Sequence, residues 1–377
     1  MFINRSLVRQ IEQLLFKGKA VIILGARQVG KTTLVKQITD KLGKQVAWFD
    51  AEEPDVKPLL ENKNSQQLKL LFKNAEIVVI DEAQKLTNPG SIIKIIVDHI
   101  PQVQVIATGS SSFDLTNKIY EPLTGRAWEF VLPPVSFAEM SENTSVLDEI
   151  KNLEQRLIYG YYPEVVVKPD LAKEILKTIS TNYLYKDILM WEGIRKPTKI
   201  QTLVQALAYQ IGNMVSYSEL SKMTGLDVKT VEKYLDLLEK SYVVFRLGSF
   251  SRNLRSELTK AKKYYFWDLG IRNSVIGNFE PLAKRTDVGQ LWENFFIAEK
   301  MKNILNRKSD VRLYFWRTHQ QKEIDLIEES QSELNVYEIK WNVHKSVKMP
   351  KNFSEAYPKA QFNLVNPDNF YEFLLET

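Results

Sequence analysis

The sequence contains no cysteine and only three histidines, His99, His319 and His344, in 377 residues. The missing thiols exclude disulfides, thiolate nucleophiles, Cys-bound zinc and iron–sulfur clusters, and they suit a reducing compartment. Three scattered histidines leave no material for a His-rich metal centre. Glycine (15) and proline (14) are sparse, which excludes a collagen-like or low-complexity chain. No apolar run approaches the ~18 residues of a membrane span. The first nine residues are interrupted by Arg5 and Arg9, unlike a signal peptide. The expectation is a cytoplasmic protein with no membrane partner. Charge of either sign is also not in excess: 51 basic against 46 acidic residues, net +5, names no partner by itself.

What is present is core-forming material. Eighteen Phe, 16 Tyr and 7 Trp exclude wholesale disorder, and the length suggests two or three domains at about 150 residues each. Over the first 140 residues, short apolar runs alternate with amphipathic stretches. The runs Ala20–Leu24, Val46–Phe49, Ile77–Ile80, Val103–Ala107 and Trp128–Leu132 are strand-length and almost unbroken, as in a parallel sheet covered on both faces. Helical patterns at Lys31–Leu42 and Ile92–Ile100 complete an α/β, doubly wound reading. After Pro133-Pro134 the pattern turns helical to about Gly212, and the last hundred residues return to mixed α/β.

The first strand runs into Gly25-Ala26-Arg27-Gln28-Val29-Gly30-Lys31-Thr32, followed by Thr33, a G-x-x-x-x-G-K-[ST] loop that opens a helix. Backbone N–H groups of such a loop form an anion nest at the helix N-terminus. Lys31 neutralises the β/γ phosphates and the Thr32 hydroxyl is placed for Mg²⁺; residues 25–33 are therefore expected to bind ATP. Strand Ile77–Ile80 ends in Asp81-Glu82, a Walker B pattern. Asp81 is expected to hold Mg²⁺ and Glu82 to polarise the attacking water. Two acids capping the next helix are the structural alternative.

These motifs, with Ile80-Asp81-Glu82-Ala83-Gln84, Thr108-Gly109-Ser110-Ser111, Gly125-Arg126-Ala127, Pro133-Pro134-Val135-Ser136-Phe137 and Gly160-Tyr161-Tyr162-Pro163-Glu164, resemble bacterial and archaeal AAA+-type ATPases joined to a C-terminal domain of uncharacterised function (the AAA_14 and DUF4143 pair). In such ATPases a polar residue at the third strand tip senses the γ-phosphate, which implies Thr108; a solvated Ser-rich turn is the alternative. The position between fourth helix and fifth strand carries an arginine finger, which implies Arg126 as a catalytic residue reaching a neighbouring subunit; a surface or domain-packing arginine is the alternative. Tyr161 stands where a second glycine is expected, and residues 150–195 show no clear second sensor arginine. The resemblance implies a homo-oligomer, as a hexameric ring.

Ser218–Thr224, Gly225 as turn, and Asp227–Lys240 with Asp227 as N-cap read as helix–turn–helix, with Val228, Val231, Leu235 and Leu238 facing inward. Tyr242–Leu247 is the following strand. From Arg246 to Lys263 six basic residues face one acid, Glu257. This is a winged helix with a basic wing, and Arg252, Arg255, Lys260, Lys262 and Lys263 are the expected DNA contacts. A packing adaptor is the alternative.

Near the C-terminus, Asp325 lies in strand Glu323–Ile327 and Glu338-Ile339-Lys340 in strand Leu334–Trp341, after a helix at Gly289–Leu305 that carries Glu293. Strand alternation sends Glu338 and Lys340 to one face, and the short Glu329–Glu333 link makes a hairpin. This order resembles the PD-(D/E)xK nuclease fold, especially archaeal Holliday-junction resolvases. The resemblance implies Asp325 and Glu338 as ligands of Mg²⁺ or Mn²⁺, Glu293 as a further ligand, and Lys340 orienting or activating a water. Glu323 competes as a ligand, and a solvent-facing pair is the alternative.

The expected organisation is a P-loop AAA+ core at 1–136, a helical lid at 137–200, a winged helix at 201–280 and a nuclease-like α/β domain at 281–377. The expected function is an ATP-hydrolysing motor on branched or duplex DNA with a Mg²⁺-dependent nuclease-like domain, in Holliday-junction processing. The alternative is a nucleotide-switch ATPase of signalling or defence whose C-terminal domain only mediates binding.

Overall fold

A computed structural model describes residues 3–110, 123–183, 197–251, 262–318, 320–331, 333–345 and 347–375. The chain divides into two compact units, one within residues 2–133 with 240–242, the other within 134–239 and 243–377.

In the first unit, strands β1 (Ala20–Leu24), β2 (Val46–Asp50), β3 (Ile77–Asp81), β4 (Gln104–Gly109) and β5 (Ala127–Val131) form one sheet in the order β2-β3-β4-β1-β5. Every neighbouring pair is parallel. Parallel neighbours need crossovers, and helices Lys31–Leu42, Ser65–Leu71 and Pro89–His99 lie between the strands in sequence. Strands β1, β3 and β4 are buried at every residue, which is why their sequences read as unbroken apolar runs. Ile22, Val78, Ile80, Ile93, Ile96 and Val105 belong to the core so formed. Because the strands are parallel, their C-terminal ends share one edge, where ligands bind in this class of sheet. Gly25, Asp81 and Thr108 all stand there.

The second unit begins with helices, as the sequence predicts: Phe137–Asn143, Val146–Lys151, Leu153–Tyr159, Pro163–Val167 and Ala172–Thr178. Ser136 and Glu139 close the first with a reciprocal capping box. Tyr161 is 1% exposed. Its hydroxyl donates to Glu149 Oε2 at 3.0 Å and its N–H to Asp268 Oδ2 at 2.6 Å. The Arg156 guanidinium grips the same Glu149 through two bonds of 2.9 and 2.7 Å. The residue found in place of an expected glycine is thus a buried anchor.

Helices Tyr217–Thr224 and Val228–Lys240 follow, and Asp227 accepts the Thr230 N–H at 2.9 Å, as its N-cap assignment requires. Val231, Leu235 and Leu238 are buried, but Val228 is 43% exposed. It is the first helical residue and precedes the turn that packs, so its expected inward position is corrected.

Strands β6 (Met214–Val215), β7 (Val244–Ser249), β8 (Lys262–Phe266), β9 (Arg312–Arg317), β10 (Glu323–Ser330), β11 (Glu333–Ile339) and β12 (Gln361–Val365) form a single sheet, ordered β12-β11-β10-β9-β7-β8-β6. The expected division near Pro281 therefore does not interrupt the sheet. Gly248 and Ser249 of β7 pair in parallel with Tyr314 and Phe315 of β9. Beyond that junction the order is helix Val288–Arg307, β9, β10, β11, helix Lys351–Ala356, β12. The strands β9, β10 and β11 are an antiparallel meander, and β12 runs parallel to β11. Ile324, Ile327, Leu334 and Val336 pack with Phe250 and Phe353.

Candidate functional site

The phosphate-loop sequence follows β1 directly. A Cβ at position 25 would run into the Leu132 carbonyl oxygen, so Gly25 allows a close backbone approach. Gly30 takes φ 94° as it caps the helix Lys31–Leu42, a conformation that other residues seldom adopt. Lys31 is 4% exposed, and its Nζ donates to the carbonyls of Gly25 (3.1 Å) and Ala26 (2.9 Å). Ala26 and Val29 are buried, Arg27 lies 3.8 Å from Glu52, and Gln28 and Thr33 are exposed.

The strand tips converge on this loop. Thr32 Oγ1 donates to Asp81 Oδ2 at 2.8 Å. The Thr108 hydroxyl donates to Asp81 and accepts the Glu82 N–H (3.0 Å). Glu82 itself is left-handed, φ 50°, and stands 3.9 Å from Lys31. A non-glycine residue in that region carries strain, which concentrates at functional sites. Gln84 Nε2 donates to Glu82 and, at 2.8 Å, to Ser110 Oγ, fixing the Glu82 side chain. Ser111 and Ser112 lie outside the described residues.

Arg126 is at the opposite edge of the same sheet. Its carbonyl accepts the N–H of Ala20, the first residue of β1, so a strand length of about 16 Å separates it from the loop of its own chain. Its side chain is 38% exposed and its Nε donates to Asp98 at 2.7 Å, which holds the Asp98 carboxyl below its ordinary value. Sequence reasoning missed Arg5. It is 7% exposed and donates to the carbonyls of Val29 (3.0 Å) and Pro133 (2.7 Å), tying the phosphate loop to the exit of β5. An arginine among apolar residues reads as an interruption, and nothing in its local pattern signals burial.

In the second unit, Asp325 and Glu338 meet at one cation. Lys340 Nζ stands 2.8 Å from an oxygen of each. The β9–β10 register shifts between Ile324 and Ile327. Such a bulge re-aims a side chain, here Asp325, whose Oδ2 also accepts the Ile339 N–H at 2.8 Å. Burial and the neighbouring Asp325 charge push the Glu338 carboxyl up, whereas these two carboxylates, outweighing burial, hold Lys340 above its ordinary value. Glu293 is not part of this pair. It accepts from Lys263 Nζ (3.1 Å) and the Tyr265 hydroxyl (2.6 Å). Glu323 is held by Lys263 (2.5 Å) and Arg317 (3.2 Å). Among the described residues no three Asp, Glu or His side chains converge as a metal cluster.

Of the expected DNA contacts, Arg252, Arg255 and Lys260 lie outside the described residues, as do Glu257 and His319. Lys262 is half-buried on β8, 3.4 Å from the Tyr217 hydroxyl. Lys263 is 1% exposed and points into the carboxylates, so it offers no surface to a phosphate backbone; burial on β8 beside Glu293 and Glu323 is the reason.

Parallel sheet, phosphate loop and Asp81-Glu82 strand tip define a P-loop ATPase of the AAA type. Residues 17–141 match the family model described as an AAA domain (AAA_14). Residues 150–282 and 288–373 match two models described as domains of unknown function, DUF8612 and DUF4143. The chain is 27% identical over 346 residues to an uncharacterized protein of Mycobacterium tuberculosis, covering 89% of this chain and 74% of that one. It is 27% identical over 329 residues to an uncharacterized protein of Haemophilus influenzae, covering 75% and 80%. Among solved structures it is distantly similar to the RuvB Holliday junction branch migration motor of Thermotoga maritima, with TM-score 0.33, 15% identity and coverage of 65% and 90%. It is as distantly similar to a signal transduction ATPase with numerous domains (STAND) from Pyrococcus horikoshii, with TM-score 0.31, 14% identity and coverage of 81% and 46%. No described helix is long and apolar enough to cross a membrane.

Proposed function

We propose that the protein hydrolyses ATP as an oligomeric motor on branched or duplex DNA and carries a metal-dependent nuclease-like centre at Asp325, Glu338 and Lys340. At the first site the residues fit ATP and Mg²⁺. A buried lysine lies among loop carbonyls, and the hard oxygens of Thr32 and Asp81 are adjacent. Residues 25–33 hold the phosphates, with Thr32 and Asp81 toward Mg²⁺, which offsets the phosphate charge when bound. Glu82, aimed by Gln84, orients the attacking water, and Thr108 links the two strand tips beneath it. Arg126, too far from its own loop, acts on the site of a neighbouring copy in a hexameric ring.

One observation carries the nuclease reading: two carboxylates on adjacent strands share one cation, Lys340, within an αβββαβ order. That donor set fits a single Mg²⁺ or Mn²⁺, which supplies charge neutralisation at a phosphodiester when bound. Lys340, 2.8 Å from an oxygen of each carboxylate, orients a water and counters phosphate charge there. DNA affinity rests on Arg252, Arg255, Lys260 and Lys262 of the wing and falls steeply with salt. A nucleotide switch whose C-terminal fold only binds is the second reading. It is favoured by the lysines that already neutralise the carboxylates.

The test is incubation with labelled linear, forked and four-way DNA, with and without ATP and Mg²⁺ or Mn²⁺. Cleavage that needs the metal and disappears in Asp325→Asn and Lys340→Ala, while ATP hydrolysis persists, is the expected result. Cleavage that survives Asp325→Asn overturns the assignment of the centre. ATP hydrolysis indifferent to DNA, with no cleavage, favours the switch.

A further inference from the structure

Two lysines divide four carboxylates of this unit, Glu293, Glu323, Asp325 and Glu338, into separate pairs. Lys340 takes Asp325 and Glu338. Lys263 takes Glu293 and Glu323. Lys263 comes from β8, beyond the β7–β9 junction, and Tyr265, two residues on and so on the same face of that strand, donates to Glu293 as well. Arg317 adds a second cation to Glu323.

The geometry points to Lys263 as a positioning residue that withholds Glu293 and Glu323 from metal, so that the centre accepts a single divalent cation on Asp325 and Glu338. This inference rests on the reading of those two residues as ligands given above. The physical argument is one of charge. Glu293 and Glu323 are each already engaged by one ammonium, at 3.1 and 2.5 Å. Lys263 is that cation. It is covalently tethered and 1% exposed. A second divalent ion would have to displace or approach this ammonium in a poorly solvated place, where like charges repel strongly. Two-metal centres keep their ions ~3.5–4 Å apart on shared carboxylates; here a fixed lysine already occupies two of the carboxylates that such a pair would need.

The experiment counts Mn²⁺ bound per chain by electron paramagnetic resonance. It uses the nucleotide-free full chain carrying Asp81→Asn, so that the ATP site contributes no ion. One ion is expected, lost on further Asp325→Asn substitution. Glu293→Gln and Glu323→Gln each keep one ion. Lys263→Met gains a second, and Lys263→Arg stays at one. Loss of the ion in Glu293→Gln or Glu323→Gln overturns the inference, as does a second ion already present before Lys263 is changed, or a folded Lys263→Met that still binds one. Should Lys263→Met fail to fold by circular dichroism, the two glutamine variants decide. No ion at all, or an ion that survives Asp325→Asn, instead overturns the ligand reading on which the inference stands.

Discussion

Thr32 and Asp81, brought together from opposite ends of the nucleotide motif, share a hydrogen bond of 2.8 Å between Oγ1 and Oδ2. The pair exists because β1 and β3 flank β4 in one parallel sheet and end at the same edge. Lys31→Ala is expected to abolish nucleotide binding, since the only lysine in the loop is lost and the phosphates stay uncompensated. Glu82→Gln is expected to keep binding while phosphate release falls by at least about 100-fold. Fluorescent-nucleotide binding and a phosphate assay check both. Equal turnover in Glu82→Gln and the parent chain removes Glu82 from the chemistry.

Arg126→Ala is expected to bind ATP normally and to lose hydrolysis by ~10³-fold, the scale of other arginine fingers. Mixing it with Lys31→Ala restores part of the rate, because the Lys31→Ala copy still presents Arg126 to an intact neighbouring loop. Hydrolysis at the parental rate by Arg126→Ala alone would rule the finger out.

Arg5→Met removes a buried guanidinium and leaves the Val29 and Pro133 carbonyls without that donor. Such losses cost about 1–3 kcal/mol each. A lower unfolding midpoint in urea and weaker nucleotide binding are both expected. An unchanged nucleotide affinity in a destabilised variant would make Arg5 a folding residue alone.

Burial pushes the Glu239 carboxyl up to about 7, against the pull of Arg246. For an acid whose folded value lies above its unfolded one, stability is highest below the unfolded value, near 4.5, and declines as pH rises to about 7. Glu239→Gln removes this penalty. It should raise stability by on the order of 1–3 kcal/mol at about pH 8, with little change at about pH 5. Urea unfolding at the two pH values measures it, and an equal gain at both contradicts the burial argument.

The first unit is legible because its signals are local. Each inner strand is an unbroken apolar run, and the loop Gly25–Thr32 carries its own chemistry. The hairpin that joins Asp325 to Glu338 is equally local. What escapes the sequence is non-local. The β7–β9 junction rests on two residue pairs whose partners are far apart in the chain. Lys263 reads as the end of a basic, solvent-facing run, and only the helix Val288–Arg307, which brings Glu293 against it, converts it to a buried ion-pair partner. Arg5 escapes likewise, since its partners are backbone carbonyls with no residue signature. Glu293, in turn, has the right order for a ligand but faces the wrong cation.

The continuity of β7 with β9 bears on how this chain can be assembled. A fragment beginning at Pro281 would carry β9 as a bare edge, and one ending there would leave β7 open, each with unpaired N–H and C=O groups that invite association. The segment carrying DUF4143 therefore shares its sheet with strands encoded upstream, β7 and β8. Ribosomal synthesis meets the same constraint: β7 and β8 emerge early and wait for β9 before the sheet closes, a pairing of high sequence separation that slows folding.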